Sequence, residues 1–250
     1  PTIQDLQEAG VEVALDDVSE IDWRGSRLFV VSGRAFAFDR LILAPGTAPV
    51  DEGIPGLDAR ARKFWPAAWG SAREAQRLEA QLMALPDRGH VVVRFPAALS
   101  HPDVAVDRVA RLARHTQQAY PTARLTVLDG GTDPTLRDQT RRHMNRLHLP
   151  TPDWHLASQG GTVLSVDADL GRIETVAGPL TADVVNFVSR TVAGTIARQA
   201  GLTDETGWCP TDAQSCALAQ PQTLILGDAR RGATRTLPHL LSDTRAALQS

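Results

Sequence analysis

Cysteine is scarce in this sequence: only Cys209 and Cys216 occur among 250 residues. Two thiols are too few for a disulfide framework or a four-cysteine zinc site. Long hydrophobic runs are also missing, and no stretch approaches the roughly 20 apolar residues that a membrane-spanning helix needs. The opening PTIQDLQEAG carries neither a charged n-region nor an apolar h-region, so no targeting signal is expected within it. Positive charge is not in excess: Lys and Arg total 26 against 29 Asp and Glu, a net charge of −3. A nucleic-acid surface would be strongly basic, and that class is excluded. Lys63 is the only lysine. Arginine suits bidentate anion contacts, although biased composition explains its use more simply. No Gly-x-Gly-x-x-Gly, P-loop, Gly-x-Ser-x-Gly or Cys-x-x-Cys motif is present, nor any internal repeat.

What is there suits a globular chain, with 42% hydrophobic residues to build a core. Residues 2–9 read as a polar helix ending at Gly10, and 11–15 as an apolar strand. Residues 28–31 and 35–38 read as a hairpin around Ser32-Gly33, and 41–44 as a short buried strand. Residues 50–69 have no clean period and read as a packed connection. Beyond them, strands over 90–95, 124–128 and 154–157 alternate with helices over 71–85, 103–119 and 134–147. That alternation is the mark of parallel βαβ winding. A second hairpin (163–167 with 172–176), buried strands over 184–188 and 223–226, and a helix over 237–248 complete the reading. The class is α/β: two intertwined Rossmann-like units with β-hairpin excursions. Residues 1–68 with 189–250 form one unit and 69–188 the other.

Open α/β sheets bind ligands at the carboxyl ends of their strands. The first such end is Leu41-Ile42-Leu43-Ala44-Pro45-Gly46, whose small residues let a cofactor approach the backbone. By itself it also reads as a strand and a tight turn. The second is Leu226-Gly227-Asp228-Ala229, where a carboxylate can accept from a ribose or ribityl hydroxyl. His101, after Phe95-Pro96-Ala97-Ala98, is a cleft-loop imidazole able to exchange protons, or a plain surface histidine. Cys209, between Trp208 and Pro210, is a redox thiol if its pKa is lowered and an inert core cysteine if not. His143, Arg146 and His148 lack an acidic or cysteine co-ligand at metal spacing, so no metal site is expected. Arg108, Arg111 and Arg114 lie at three-residue steps and read as a solvated helix face.

Taken in order, several short stretches resemble the flavoprotein subunit of flavocytochrome c sulfide dehydrogenases, and more distantly the sulfide:quinone reductases. They are Phe38-Asp39-Arg40-Leu41-Ile42-Leu43-Ala44-Pro45-Gly46, Pro66-Ala67-Ala68-Trp69 and Ala193-Gly194-Thr195-Ile196-Ala197. Ala200-Gly201-Leu202-Thr203, Gly207-Trp208-Cys209-Pro210 and Gly227-Asp228-Ala229 follow. The resemblance implies a flavin domain interrupted by a nicotinamide-type domain, with FAD as cofactor. It implies a sulfide-oxidising activity that passes electrons to a c-type cytochrome, in the bacterial periplasm. Ala44, Pro45 and Gly46 would then line the flavin crevice, Gly227 and Asp228 would hold its ribityl–pyrophosphate region, and Cys209 would be one of two redox cysteines. His101 stands where the family carries the other cysteine, in Ser100-His101-Pro102-Asp103, and becomes a candidate proton donor or base. Cys216 matches no position of the pattern. The family's opening glycine-rich turn has no counterpart, so the first unit is expected to be incomplete and FAD to be lost or incompletely held. Two readings follow: a divergent sulfide dehydrogenase acting on small sulfur species, or a non-catalytic, cofactor-free relative that docks in a larger complex.

Overall fold

A computed structural model describes residues 2–212, 222–233, 240–242 and 244–245. The chain divides into two units, residues 1–48 with 192–250, and residues 49–191. The first unit opens with helix α1 (Ile3–Glu8), an antiparallel meander of β1 (Val18–Asp22), β2 (Arg27–Val30) and β3 (Ala35–Ala37), and the apolar strand β4 (Leu41–Leu43). Strand β5 (Thr47–Pro49) leads out of it. Then come α2 (Ala59–Phe64), α3 (Ala72–Met83), β6 (His90–Phe95), α4 (Pro102–Ala119), β7 (Arg124–Asp129), α5 (Thr135–Arg146) and β8 (Asp153–His155). The meander β9 (Val163–Asp167), β10 (Arg172–Thr175) and β11 (Gly178–Thr181) precedes β12 (Val184–Phe187). Strand β13 (Thr191–Ala193), paired with β5, leads back to α6 (Thr195–Gln199) and β14 (Thr223–Ile225).

Local signals account for many of these boundaries. Thr2 caps α1 through a capping box, its hydroxyl accepting from the Asp5 amide while the Asp5 carboxylate accepts from its own. Ser71 caps α3 in the usual way, accepting from the Glu74 amide. The strand expected over 11–15 does not form: that segment is irregular, and Val11 and Leu15 are exposed. The strand lies at β1, where Ile21 is buried opposite Leu28. An apolar run needs a paired edge to become a strand, and β1 has one in β2. Helix α2 forms within 50–69, a stretch with no clean period, and β11 forms although it opens on glycine and proline, residues that disfavour strands. The helix expected over 237–248 falls largely outside the described residues.

The second unit is organised by a parallel sheet in the order β12-β6-β7-β8. All six residues of β6 are buried. Their side chains divide by the period of two: Val91, Val93 and Phe95 join Leu78, Leu82, Val109, Leu112 and Met144 from α3, α4 and α5. Val92 turns the other way, to Leu57, Ala61, Trp65, Val185 and Phe187. Residues 49–68 thus contribute to this unit's core. Burying each large side chain here stabilises by about 1.5–3 kcal/mol before entropy is counted. The steps β6 to β7 to β8 run one way across the sheet, and β12 lies on the opposite side of β6. The order therefore reverses between β6 and β12, where this fold class binds its ligands. In the first unit, Ile21, Leu41, Leu43, Ala197, Leu202, Cys209, Ile225 and Ala229 share one cluster. No helix among the described residues is long and apolar enough to cross a membrane.

Candidate functional site

Strands β4 and β14 run parallel in register, Leu41 opposite Thr223 and Leu43 opposite Ile225. The Leu226 amide donates to the Leu43 carbonyl at 2.8 Å, so both strands end together. Five of the seven candidate residues, Ala44, Pro45, Gly46, Gly227 and Asp228, therefore occupy adjoining carboxyl ends. Gly46 has φ +62° and Gly227 φ +73°, the left-handed region in which a Cβ is strained. A Cβ on Gly46 would meet nothing within 4 Å, so backbone there is open to close approach. Behind the turn, the Gly194 amide donates to the Gly46 carbonyl at 2.9 Å, and a Cβ on Gly194 would run into the Pro45 carbonyl. Asp228 lies in the 3-10 turn Gly227–Ala229 and is partly exposed. Open backbone beside a carboxylate fits the ribityl side of a flavin; a glycine-rich turn for its pyrophosphate is absent from the sequence.

Cys209 lies beside that turn: its amide donates to the Ala229 carbonyl at 2.9 Å and its carbonyl accepts from the Arg231 amide at 2.8 Å. The residue is fully buried. Burial, and secondarily the negative charge of Asp204, pushes its thiol up to about 11. At neutral pH Cys209 is therefore a neutral thiol, whereas nucleophilic sulfur is thiolate. Arg231 pairs with Asp204 at 2.8 Å and frames the same turn. Cys216 lies outside the described residues.

His101 belongs to the second unit and is the residue before α4, at the carboxyl end of β6. Its Nδ1 lies 2.6 Å from Ser100 Oγ, which is 2.7 Å from Thr191 Oγ1. The Trp69 indole N–H donates to the same Nδ1 at 3.3 Å, with the rings edge-on at 5.9 Å. Trp69 is held in turn by Arg108, whose guanidinium lies 5.4 Å from the indole. Arg108 donates to the Ala67 carbonyl at 3.3 Å and to Asn186 Oδ1 at 3.0 Å, and also to the Ala68 carbonyl. The Asn186 amide donates to the Pro66 and Ala67 carbonyls at 2.8 and 2.7 Å. So Arg108 is not part of a solvated face: it fastens the Pro66-Ala67-Ala68-Trp69 loop, and burial lowers its pKa. Its position three residues after buried Ala105 and four before buried Leu112 was the signal that marked it as inward-facing.

Sequence reasoning also missed a buried ion pair. Arg94 on β6 makes two 2.7 Å hydrogen bonds to Glu52 and a third, at 2.9 Å, to the Val188 carbonyl. Burial pushes the Glu52 carboxyl up, but hydrogen bonding and charge from Arg94 prevail and leave its pKa lowered. Two features of this unit do not fit a dinucleotide. The loop after β6 reads Phe95-Pro96-Ala97-Ala98, without glycine. Asp129, at the end of β7 where such sites hold ribose, is buried and accepts from the Gly131 amide (2.9 Å) and the Trp154 indole (3.2 Å).

Residues 75–189 match the family model described as the central part of the sulfide dehydrogenase (flavocytochrome c) flavoprotein chain. Among solved structures, the covalent putidaredoxin reductase–putidaredoxin complex is similar over 99% of this chain and 60% of its own, with TM-score 0.71 and 17% identity. A ferredoxin reductase from Rhodopseudomonas palustris is similar over 92% of this chain and 54% of its own, with TM-score 0.65 and 19% identity. A pyridine nucleotide-disulfide family oxidoreductase from Enterococcus faecalis is similar over 99% and 57%, with TM-score 0.65 and 14% identity. The chain thus spans little more than half the length of these structures. The fold is that of the FAD- and NAD(P)-binding oxidoreductases, and residues 75–189 resemble the central part of the flavocytochrome c sulfide dehydrogenase flavoprotein.

Proposed function

We propose that the protein is a flavin-dependent oxidoreductase of the sulfide dehydrogenase type. It oxidises small sulfur species and passes electrons to a c-type cytochrome, in the periplasm. The single observation that carries this reading is the meeting of Ala44-Pro45-Gly46 with Gly227-Asp228 at the adjoining ends of β4 and β14. In it, the Gly46 turn admits a flat cofactor close to the backbone, and Asp228 accepts from a ribityl hydroxyl. The flavin, when bound, supplies an acceptor for the electron pair taken from sulfur. Cys209 lies beside that turn, and sulfur transfer to it requires its deprotonation. His101 contributes a polar imidazole at the carboxyl end of β6.

The visible spectrum of the purified protein tests the reading. Flavin bands at near-stoichiometric amount, bleached by sulfide, are expected. Protein that stays colourless after incubation with FAD would overturn it. A second reading, a cofactor-free docking subunit, is favoured by one specific observation: Cys209 is a buried, neutral thiol. Under that reading the protein co-purifies with a partner chain and holds no flavin.

A further inference from the structure

Between helices α4 and α5 lies a groove of about 660 Å³, within the roughly 300–1,000 Å³ of small-molecule sites. One wall is the start of α4, where Asp103, Val106 and Asp107 fall at steps of three and four. The other is α5, where Gln139, Arg142, His143 and Arg146 repeat that spacing. Such spacing makes one face of a helix, ordinarily an apolar one; here Val106 is the single apolar side chain lining the groove. The charges of the two walls are unevenly matched. Asp107 is paired with Arg111 at 2.7 Å, and Asp138 serves Arg137 at 3.2 Å and Arg141 at 3.4 Å, none of these arginines lining the groove. Arg142 has no ion pair among the described residues, and Arg146 donates to His143 Nδ1 at 3.4 Å, an imidazole in place of a carboxylate. Arg142 and Arg146 stand one turn apart, an arrangement of like charges that costs the helix stability unless an anion lies between them. Residues 101–150 carry eight arginines against five aspartates, a net charge of +3 in a chain of −3, so the local field also favours an anion.

We propose that this groove binds a phosphorylated polyol. Its phosphate bridges the guanidiniums of Arg142 and Arg146, each of which can give it two parallel hydrogen bonds. A phosphate dianion matches two guanidiniums, where a carboxylate would match one. The opposite wall calls for donors: Asp103 has no ion pair among the described residues, and an ionised carboxylate only accepts, so ligand hydroxyls suit it. The Gln139 amide, which both donates and accepts, serves the same hydroxyls. With Val106 its only apolar wall, the groove offers nothing to a nucleobase or an acyl chain. The site is independent of the flavin reading.

Isothermal titration calorimetry of the full chain tests this, at about 0.15 M ionic strength so that diffuse attraction between exposed charges is screened. The probes are glucose 6-phosphate, glycerol 3-phosphate and inorganic phosphate. Saturable one-to-one binding of at least one of the two polyol phosphates is expected, about tenfold or more tighter than inorganic phosphate. Arg142→Gln and Arg146→Gln are each expected to weaken it by about tenfold or more. Asp103→Asn is expected to narrow the margin over inorganic phosphate, because it removes the acceptor for hydroxyls and the charge that repels a bare anion. Thermal unfolding shows whether the variants fold. Should a Gln variant misfold, Arg142→Lys keeps the charge without the planar fork and is expected to weaken binding too. No saturable binding of either polyol phosphate, equal affinity for inorganic phosphate, or affinity unchanged in the arginine variants overturns the proposal.

Discussion

Cys209 shows how far the environment of one residue decides its chemistry. With its thiol pushed up to about 11 inside a closed cluster, it is expected to resist alkylation at about pH 8, where an ordinary cysteine is partly thiolate. Peptide-resolved mass spectrometry after iodoacetamide treatment checks this; rapid labelling of the native protein at Cys209 would show that the site opens. The Arg94–Glu52 pair works the other way, since there two charges are buried together. Glu52→Ala strands the guanidinium and is expected to cost about 3–5 kcal/mol in urea unfolding. Glu52's pKa lies below its ordinary 4.5 when folded. Its contribution is thus complete above pH 4.5 and disappears as pH falls through the folded value. The sequence offered no view of this pair. His-Val-Val-Val-Arg-Phe reads as a buried strand with one misplaced charge, and the partner that explains it comes from the connection before α2, which has no periodicity to place it.

At the scale of elements, periodicity was a good guide wherever an element's own residues decide its form. Helices α3, α4 and α5 and strands β6 and β7 lie within a residue or two of where their apolar spacing put them. Strand β1 and helix α2 escaped because neighbours hold them: β1 is mostly polar and exists through β2, and α2 is short and stands on Ala61 against the sheet. The parallel sheet also carries a pH-sensitive joint. His90, at the start of β6, is buried, with Nδ1 2.8 Å from the Thr181 carbonyl and Nε2 2.8 Å from the Thr126 hydroxyl. Burial lowers its pKa below 6.5, helped by the charge of Arg124 and opposed by the Thr181 carbonyl. Because the unfolded chain takes up this proton first, stability is expected to fall as pH drops below 6.5 toward the folded value. Urea midpoints measured between about pH 7.5 and 5.5 should show this slope, and His90→Gln should flatten it. A slope unchanged by the substitution would assign it elsewhere. Asn186→Ala tests a different joint: it removes both hydrogen bonds to the Pro66–Ala67 carbonyls. It is expected to cost about 1–3 kcal/mol and to expose residues 66–69 to protease.

In the molecule as a whole, the candidate site is assembled from stretches about 180 residues apart in the chain. Leu41-Ile42-Leu43-Ala44-Pro45-Gly46 and Leu226-Gly227-Asp228 were each readable as strand ends, yet nothing in either stretch says that they are neighbours. Only the parallel pairing of β4 with β14 does so. That pairing also makes binding separable from folding. Asp228 is partly exposed at the turn, and Asp228→Ala is read by thermal unfolding and by flavin retention side by side. If the carboxylate holds a ribityl hydroxyl, the same substitution should lower flavin retention by about tenfold or more, the value of a hydrogen bond to a charged group. Gly46→Val should behave differently. Its Cβ meets open space, but at φ +62° the side chain strains the backbone by about 1–2 kcal/mol, so stability and flavin retention should fall together. Equilibrium dialysis against FAD alongside thermal unfolding separates the outcomes. Loss of flavin in Asp228→Ala at unchanged stability places the cofactor at this turn, and equal retention in all three proteins would remove the turn from flavin binding.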